Sequence, residues 1–187
     1  MAVKELLGQL HEVAECPRKQ LERYLGEGRR VIAMAPVYGP QEIVHSMGLV
    51  PMGVWGADVE INEAKKYYPA FICSVMQTIL ELGIKGEYKG VSAIIIPSLC
   101  DSLKTLGQNW KYAVADIPFI PMTYPQNRKQ DYGIKFTRAG YGRVISSLEV
   151  ATGARFSEPA LVKSNAIYNE HNRVMREFAE IASYADI

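Results

Sequence analysis

The sequence predicts an α/β fold built on a parallel sheet. Three observations carry this prediction. Short apolar, β-rich runs alternate with stretches of helical periodicity. Gly- and Pro-containing turns follow the apolar runs. The composition, 48% hydrophobic and 22% charged over 187 residues, supplies enough apolar material for one packed core. Strand and helix in alternation imply parallel strands with helices on both faces, and right-handed crossovers give a Rossmann-like layout. We expect four strands in the order 2-1-3-4, an N-terminal helical hairpin and two long C-terminal helices.

Residues 3–14 and 17–27 read as helices, with Pro17 in the first turn of the second and Gly26 and Gly28 at its end. Residues 30–35 (RVIAMA) form a buried strand bounded by Pro36. Pro40 opens a helix over 41–47 that Gly48 closes. Residues 49–55 (LVPMGVW) are the second strand, near an edge because Pro51 cannot donate to a ladder. Helices are expected at 61–67 and 73–83. Residues 91–96 (VSAIII) are the clearest strand, apolar on both faces. A helix follows over 101–114, then a fourth strand over 118–122 weakened by Pro121. Long helices over 131–152 and 158–183 are separated by Gly153. The organisation is a helical segment at 1–28, a Rossmann-like domain at 29–155 and a C-terminal helix at 156–187. That helix carries Leu161, Ile167, Val174, Phe178 and Ile181 as an apolar stripe that needs a partner surface.

Composition also excludes function classes. A formal net charge of +1 gives no field for nucleic acid or an anionic membrane. No apolar run reaches the roughly 18 residues of a spanning helix. The N-terminus lacks a secretory h-region, so a cytoplasmic location is expected. Cys16, Cys73 and Cys100 are an odd, widely spaced set, which suits thiols rather than a disulfide framework and contains no CxxC pair. GxGxxG, GxxxxGK[ST] and GxSxG are absent.

In open parallel sheets ligands bind beyond the carboxyl ends of the strands. The segments there are 36–40, 55–56, 97–102 and 123–128. One rim thus gathers Tyr38, Cys100, Asp101, Ser102, Gln126 and Arg128. Cys100 and Cys73 both stand where a helix begins, and the dipole end there favours a thiolate, the form that binds iron or zinc. Buried free cysteine is the plainer alternative for both. Cys16, in the N-terminal hairpin, reads as structural and distant from the rim. His45 suits either a proton donor or a half-buried histidine with one hydrogen bond. His11 and His171 read as solvated surface. Asp101 is placed to cap the 101–114 helix. Arg128 and Lys129 suit a phosphate or carboxylate, or simple surface. Tyr67, Tyr68 and Trp110 read as packing residues.

Particular strings go further. Residues 30–45 (RVIAMAPVYGPQEIVH) and 48–56 (GLVPMGVWG) resemble the opening of the 2-hydroxyacyl-CoA dehydratase family, D-component type. Residues 68–74 (YPAFICS), 96–104 (IPSLCDSLK), 108–110 (QNW), 117–121 (IPFIP), 124–129 (YPQNRK) and 132–134 (YGI) extend the resemblance to nearly all of 17–180. Benzoyl-CoA reductase subunits, of the same superfamily, are similar too. The resemblance implies an iron–sulfur lyase that eliminates water from an (R)-2-hydroxyacyl-CoA by way of a ketyl radical after one-electron reduction. It implies a homologous partner subunit and an ATP-dependent iron–sulfur activator. It also implies a [4Fe–4S] cluster on three cysteines, with Cys73 and Cys100 as two of them. The strand-end rule, separately, puts any ligand within reach of Tyr38, Cys100 and Gln126, with Asp101 and Ser102 on the same rim. A family subunit has a second Rossmann-like domain carrying the third cysteine. The chain therefore reads as a truncated subunit, inactive alone and holding either no cluster or a labile one, and its free stripe predicts self-association. A clusterless interaction module is the alternative outside the enzymes; a zinc hydrolase is underfilled by two cysteines.

Overall fold

Four parallel strands form the centre of the molecule in a computed structural model that describes residues 3–36 and 38–182. They are β1 (Val31–Met34), β2 (Val50–Gly53), β3 (Ala93–Pro97) and β4 (Phe119–Met122), in the expected order β2-β1-β3-β4. Val31 lies beside Val50, Ile32 beside Ala93 and Ile94 beside Phe119. The central strands β1 and β3 are buried at every residue, as a sheet covered on both faces requires.

Each edge strand contains a proline, and the pairing explains why it is tolerated. In β2 the Val50 and Val54 N–H groups donate inward to Arg30 O and Met34 O, each at 2.9 Å. Strand alternation then turns the Pro51 nitrogen outward. In β4 the carbonyls of Pro118 and Met122 accept from Ile94 N–H and Ser98 N–H at 2.9 and 2.8 Å. Pro121 therefore also faces away from the ladder, and neither ring costs it a hydrogen bond.

The helices are α1 (Val3–Glu15), α2 (Pro17–Gly26), α3 (Gln41–Ser46), α4 (Ser74–Ile84), α5 (Asp101–Ala113), α6 (Asp131–Thr152) and α7 (Glu158–Ala182). One face of the sheet is covered by α2, α4 and α5, whose Leu21, Ile79, Leu80, Leu106 and Trp110 pack with Ala33 and Ile94. The other is covered by α3 and α6, through Val44, Val144 and Leu148 against Ile32 and Ile95. Each such fully buried side chain contributes about 1.5–3 kcal/mol. Trp110 is fully buried and donates its indole N–H to Ile117 O at 3.0 Å, so its one polar atom is satisfied.

Two local expectations change. The helix expected over 61–67 is a short 3-10 helix, Ala64–Lys66. Pro69 disfavours helical backbone at Tyr68, and the Ala64 N–H is taken by a side chain of α4. The third strand begins at Ala93, because Val91 N–H closes a turn onto Tyr88 O at 3.1 Å. The last helix is described to Ala182, with the expected residue 183 outside the described residues. Gly153 ends α6 as expected, at φ +70, which a side chain would resist. Of the α7 stripe, Leu161 packs on the second core, whereas Ile167, Val174, Phe178 and Ile181 are exposed. Helix α1 buries no residue.

Candidate functional site

The chain order creates one special point in the sheet. From β1 it crosses to β2 through α3 on one face, then returns past β1 to β3 through α4 on the other. Strand order thus reverses between β1 and β3, and the crevice beyond their carboxyl ends is where such sheets bind ligands. Tyr38 follows β1 and Cys100 follows β3, so both flank this switch point. Val37, beside Tyr38, lies outside the described residues.

Side-chain bonds tie the loops of this rim together. Tyr124, half-buried after β4, donates its hydroxyl to Tyr38 O at 2.8 Å, and burial pushes its phenol well above the ordinary range. Ser98 Oγ lies 3.2 Å from Thr123 Oγ1, joining the ends of β3 and β4. Gln126 is exposed in the same loop, and Ser102 is half-buried in the first turn of α5. Asn127 Oδ1 accepts from Lys129 N–H at 3.1 Å, which shapes the turn carrying Arg128.

Both rim cysteines are exposed, free and at helix starts. Cys73 is the N-cap residue of α4 and Cys100 that of α5. The two helices pack side by side on one face of the sheet, and as successive crossovers between parallel strands they start at the same rim. Asp101 does not cap α5, as the sequence suggested. Cys100 holds that position, and the Asp101 carboxylate, almost fully exposed, pairs with Lys104 Nζ at 3.0 Å. Gly56, after β2, packs so closely on α4 that a Cβ there would lie 2.3 Å from Thr78 Oγ1 and 3.2 Å from Val75 Cα. The rim loop and the helix headed by Cys73 are thereby held in register.

Geometry decides one open reading and corrects one expectation among the other residues. Of the two readings of His45, the structure matches the half-buried histidine with a hydrogen bond. Its Nδ1 lies 2.9 Å from Ser164 Oγ, whose own proton goes to Glu42 O at 2.9 Å, and its ring meets Tyr168 edge-on. Since Ser164 has one proton to give, His45 Nδ1–H must be the donor, and the histidine braces α7 on α3. The α1–α2 elbow is not remote from the rim. Val13, Ala14, Pro17 and Arg18, which flank Cys16, line a cavity of about 400 Å³ with Trp55 and Tyr88. Arg18 seals one side by donating to Glu87 O at 2.6 Å.

The segment entering Cys73 is held by residues of α4 and α5 that sequence reasoning passed over. Gln77 Nε2 donates to Ile72 O, Asn109 Nδ2 donates to Tyr67 O, and Glu81 Oε2 accepts from Ala64 N–H, each at 2.7 Å. Glu81 is fully buried, and Lys85 Nζ lies 3.0 Å from its Oε1 and 3.1 Å from Glu60 O. Burial alone would raise the Glu81 carboxyl. The Ala64 amide and Lys85 together outweigh it and hold the group below its usual range. The available signal was the i, i+4 spacing of Gln77, Glu81 and Lys85 in an otherwise apolar helix.

The donor set bears directly on a metal. Two thiols at neighbouring helix starts suit iron, since thiolate is the ligating form. Among the described residues no group of three or more His, Cys, Asp or Glu side chains is placed to hold a metal ion. No helix of the described residues is long and apolar enough to cross a membrane.

Comparison with known proteins gives the family. Residues 36–186 match the family described as 2-hydroxyglutaryl-CoA dehydratase, D-component. The chain is 42% identical over 92% of its length to the (R)-phenyllactyl-CoA dehydratase beta subunit of Clostridium sporogenes, covering 46% of that protein. It is 43% identical over 97% of its length to lactoyl-CoA dehydratase subunit beta of Anaerotignum propionicum, covering 48% of it. It is 34% identical over 98% of its length to (R)-2-hydroxyglutaryl-CoA dehydratase subunit beta of Acidaminococcus fermentans, covering 49% of it. The chain thus spans about half the length of the curated relatives it matches. With that extent of match and identity, the chain belongs to the 2-hydroxyglutaryl-CoA dehydratase, D-component family.

Proposed function

We propose that this chain forms the thiol-bearing part of a 2-hydroxyacyl-CoA dehydratase subunit acting in the cytoplasm. The supporting observation is the pair of exposed cysteines, Cys73 and Cys100, at the starts of two helices packed side by side. In this reading they hold two corners of a [4Fe–4S] cluster, and a further ligand comes from outside the described residues. The cluster, when bound, supplies single electrons, with a potential set by burial and hydrogen bonds around the sulfurs. The protein's own part is to present two thiols at helix N-termini and to keep the rim loops fixed through the Tyr124–Tyr38 and Ser98–Thr123 contacts. Tyr38, Asp101, Ser102 and Gln126 line the approach.

At the level of the whole enzyme, the activity is elimination of water from an (R)-2-hydroxyacyl-CoA after one-electron reduction. The partners are a homologous subunit and an ATP-dependent iron–sulfur activator. The relatives named as beta subunits favour a multisubunit enzyme. The exposed stripe of α7 gives this chain a surface for self-association or for its partner.

The test is iron and acid-labile sulfide per chain after anaerobic reconstitution, with Cys73→Ala and Cys100→Ala in parallel. About four of each per chain would mean that these two cysteines and a ligand from elsewhere suffice for a [4Fe–4S] centre, and that iron should then be lost in both variants. Full iron retention by Cys100→Ala overturns the ligand assignment. No iron in the parent chain makes it a clusterless docking half instead.

A further inference from the structure

Cys73 is reached by a long segment, 54–73, whose regular structure is the 3-10 helix Ala64–Lys66. Backbone pairing cannot fix where such a segment ends. Its position comes from side chains of the two cysteine-headed helices. Gln77, Glu81 and Lys85 stand at i, i+4 spacing and therefore on one face of α4. They bind the segment at Ile72 O, Ala64 N–H and Glu60 O in turn, so the segment runs back along that face. Asn109 of α5 binds it between these points, at Tyr67 O. Gln77 is mostly buried and Glu81 wholly so, which protects both bonds from competing water.

The contact nearest the thiol matters most. Gln77 fixes the Ile72 carbonyl, hence the plane of the Ile72–Cys73 peptide. The Cys73 carbonyl is fixed on the other side by Met76 N–H at 3.0 Å and Gln77 N–H at 3.2 Å. With both flanking peptides held, the direction in which the Cys73 Cβ leaves the backbone is determined. Asn109 ties the same segment to the helix headed by Cys100.

We infer that Gln77 and Asn109 are positioning residues that set the Cys73 thiol relative to Cys100, so that both can grip one metal. This inference rests on the metal-binding reading proposed above. The relevant precedent in chemistry is that groups orienting a metal ligand typically alter affinity by about 10–100-fold.

The experiment is an anaerobic Co²⁺ titration of the chain, followed by the thiolate-to-cobalt charge-transfer band. Wild type, Cys73→Ser, Cys100→Ser, Gln77→Met and Asn109→Leu are compared, with melting temperature measured for each. The band should vanish in both serine variants. Gln77→Met and Asn109→Leu should bind Co²⁺ about tenfold more weakly while melting close to wild type. A purely structural role would move the melting temperature and leave the band's affinity unchanged. Wild-type affinity in both variants overturns the inference. If Gln77→Met fails to fold, Gln77→Glu, of equal size but without the amide donor, gives the same reading. A wild-type chain with no thiolate–cobalt band would refute the metal reading itself, a result distinct from failure of the variants alone.

Discussion

Cys100 and Cys73 reach the same rim by opposite means. Cys100 is separated from β3 by Ser98 and Leu99 alone, and β3 is a central, fully buried strand. The sheet delivers this thiol directly. Cys73 comes at the end of a long irregular segment and is held by Gln77, Glu81, Lys85 and Asn109. One position is a by-product of the core; the other depends on a few polar bonds. The lesson is that a site with two equivalent-looking residues can have one rigid and one adjustable member.

The largest expected effect erases the difference. Trp110→Ala removes the fully buried ring that α5 packs beneath the sheet and that lies against Gly83 of α4. We expect a loss of about 3–5 kcal/mol by denaturant unfolding, with faster amide exchange in both cysteine segments. Loosening confined to the 98–102 segment would show that the two helices do not share this support.

A smaller change sharpens the contrast through pH. The folded-state carboxyl of Glu81 lies below its ordinary value of 4.5. Its stabilisation is therefore complete above that value and is lost as pH falls through the lower folded-state value. Acidification should release amide protection at Ala64 and its neighbours before it does so at 98–102. Simultaneous loss in both segments would make Glu81 irrelevant to the tether. The smallest effect belongs to Ser98→Ala at the strand-built side, which removes only an exposed hydroxyl contact of 3.2 Å. Stability should change within about 0.5 kcal/mol, and a larger loss by thermal melting would mean that the short β3 exit needs its own tether.

These same features mark how far the sequence could be read. The strand order, the two faces and the helix-start cysteines followed from apolar runs and proline positions, which are local signals. The polar ladder of α4 did not, because Gln77 and Glu81 look like solvent-facing residues until the segment they bind is known. His45 could not be assigned from sequence for the same reason, since its partner Ser164 lies far along the chain. The closeness of the α1–α2 elbow to Trp55 is likewise a matter of packing between distant segments. The family strings singled out the two cysteines together, whereas residue type alone made a structural thiol the plainer reading.

The outward prolines of β2 and β4 have a consequence for the solution behaviour of the chain. A fifth strand added at either border would meet a ring where it needs an amide proton, Pro51 on one side and Pro121 on the other. Sheet growth from one molecule to the next is thus frustrated at both borders, which protects an apolar, parallel-stranded protein against templated fibril formation.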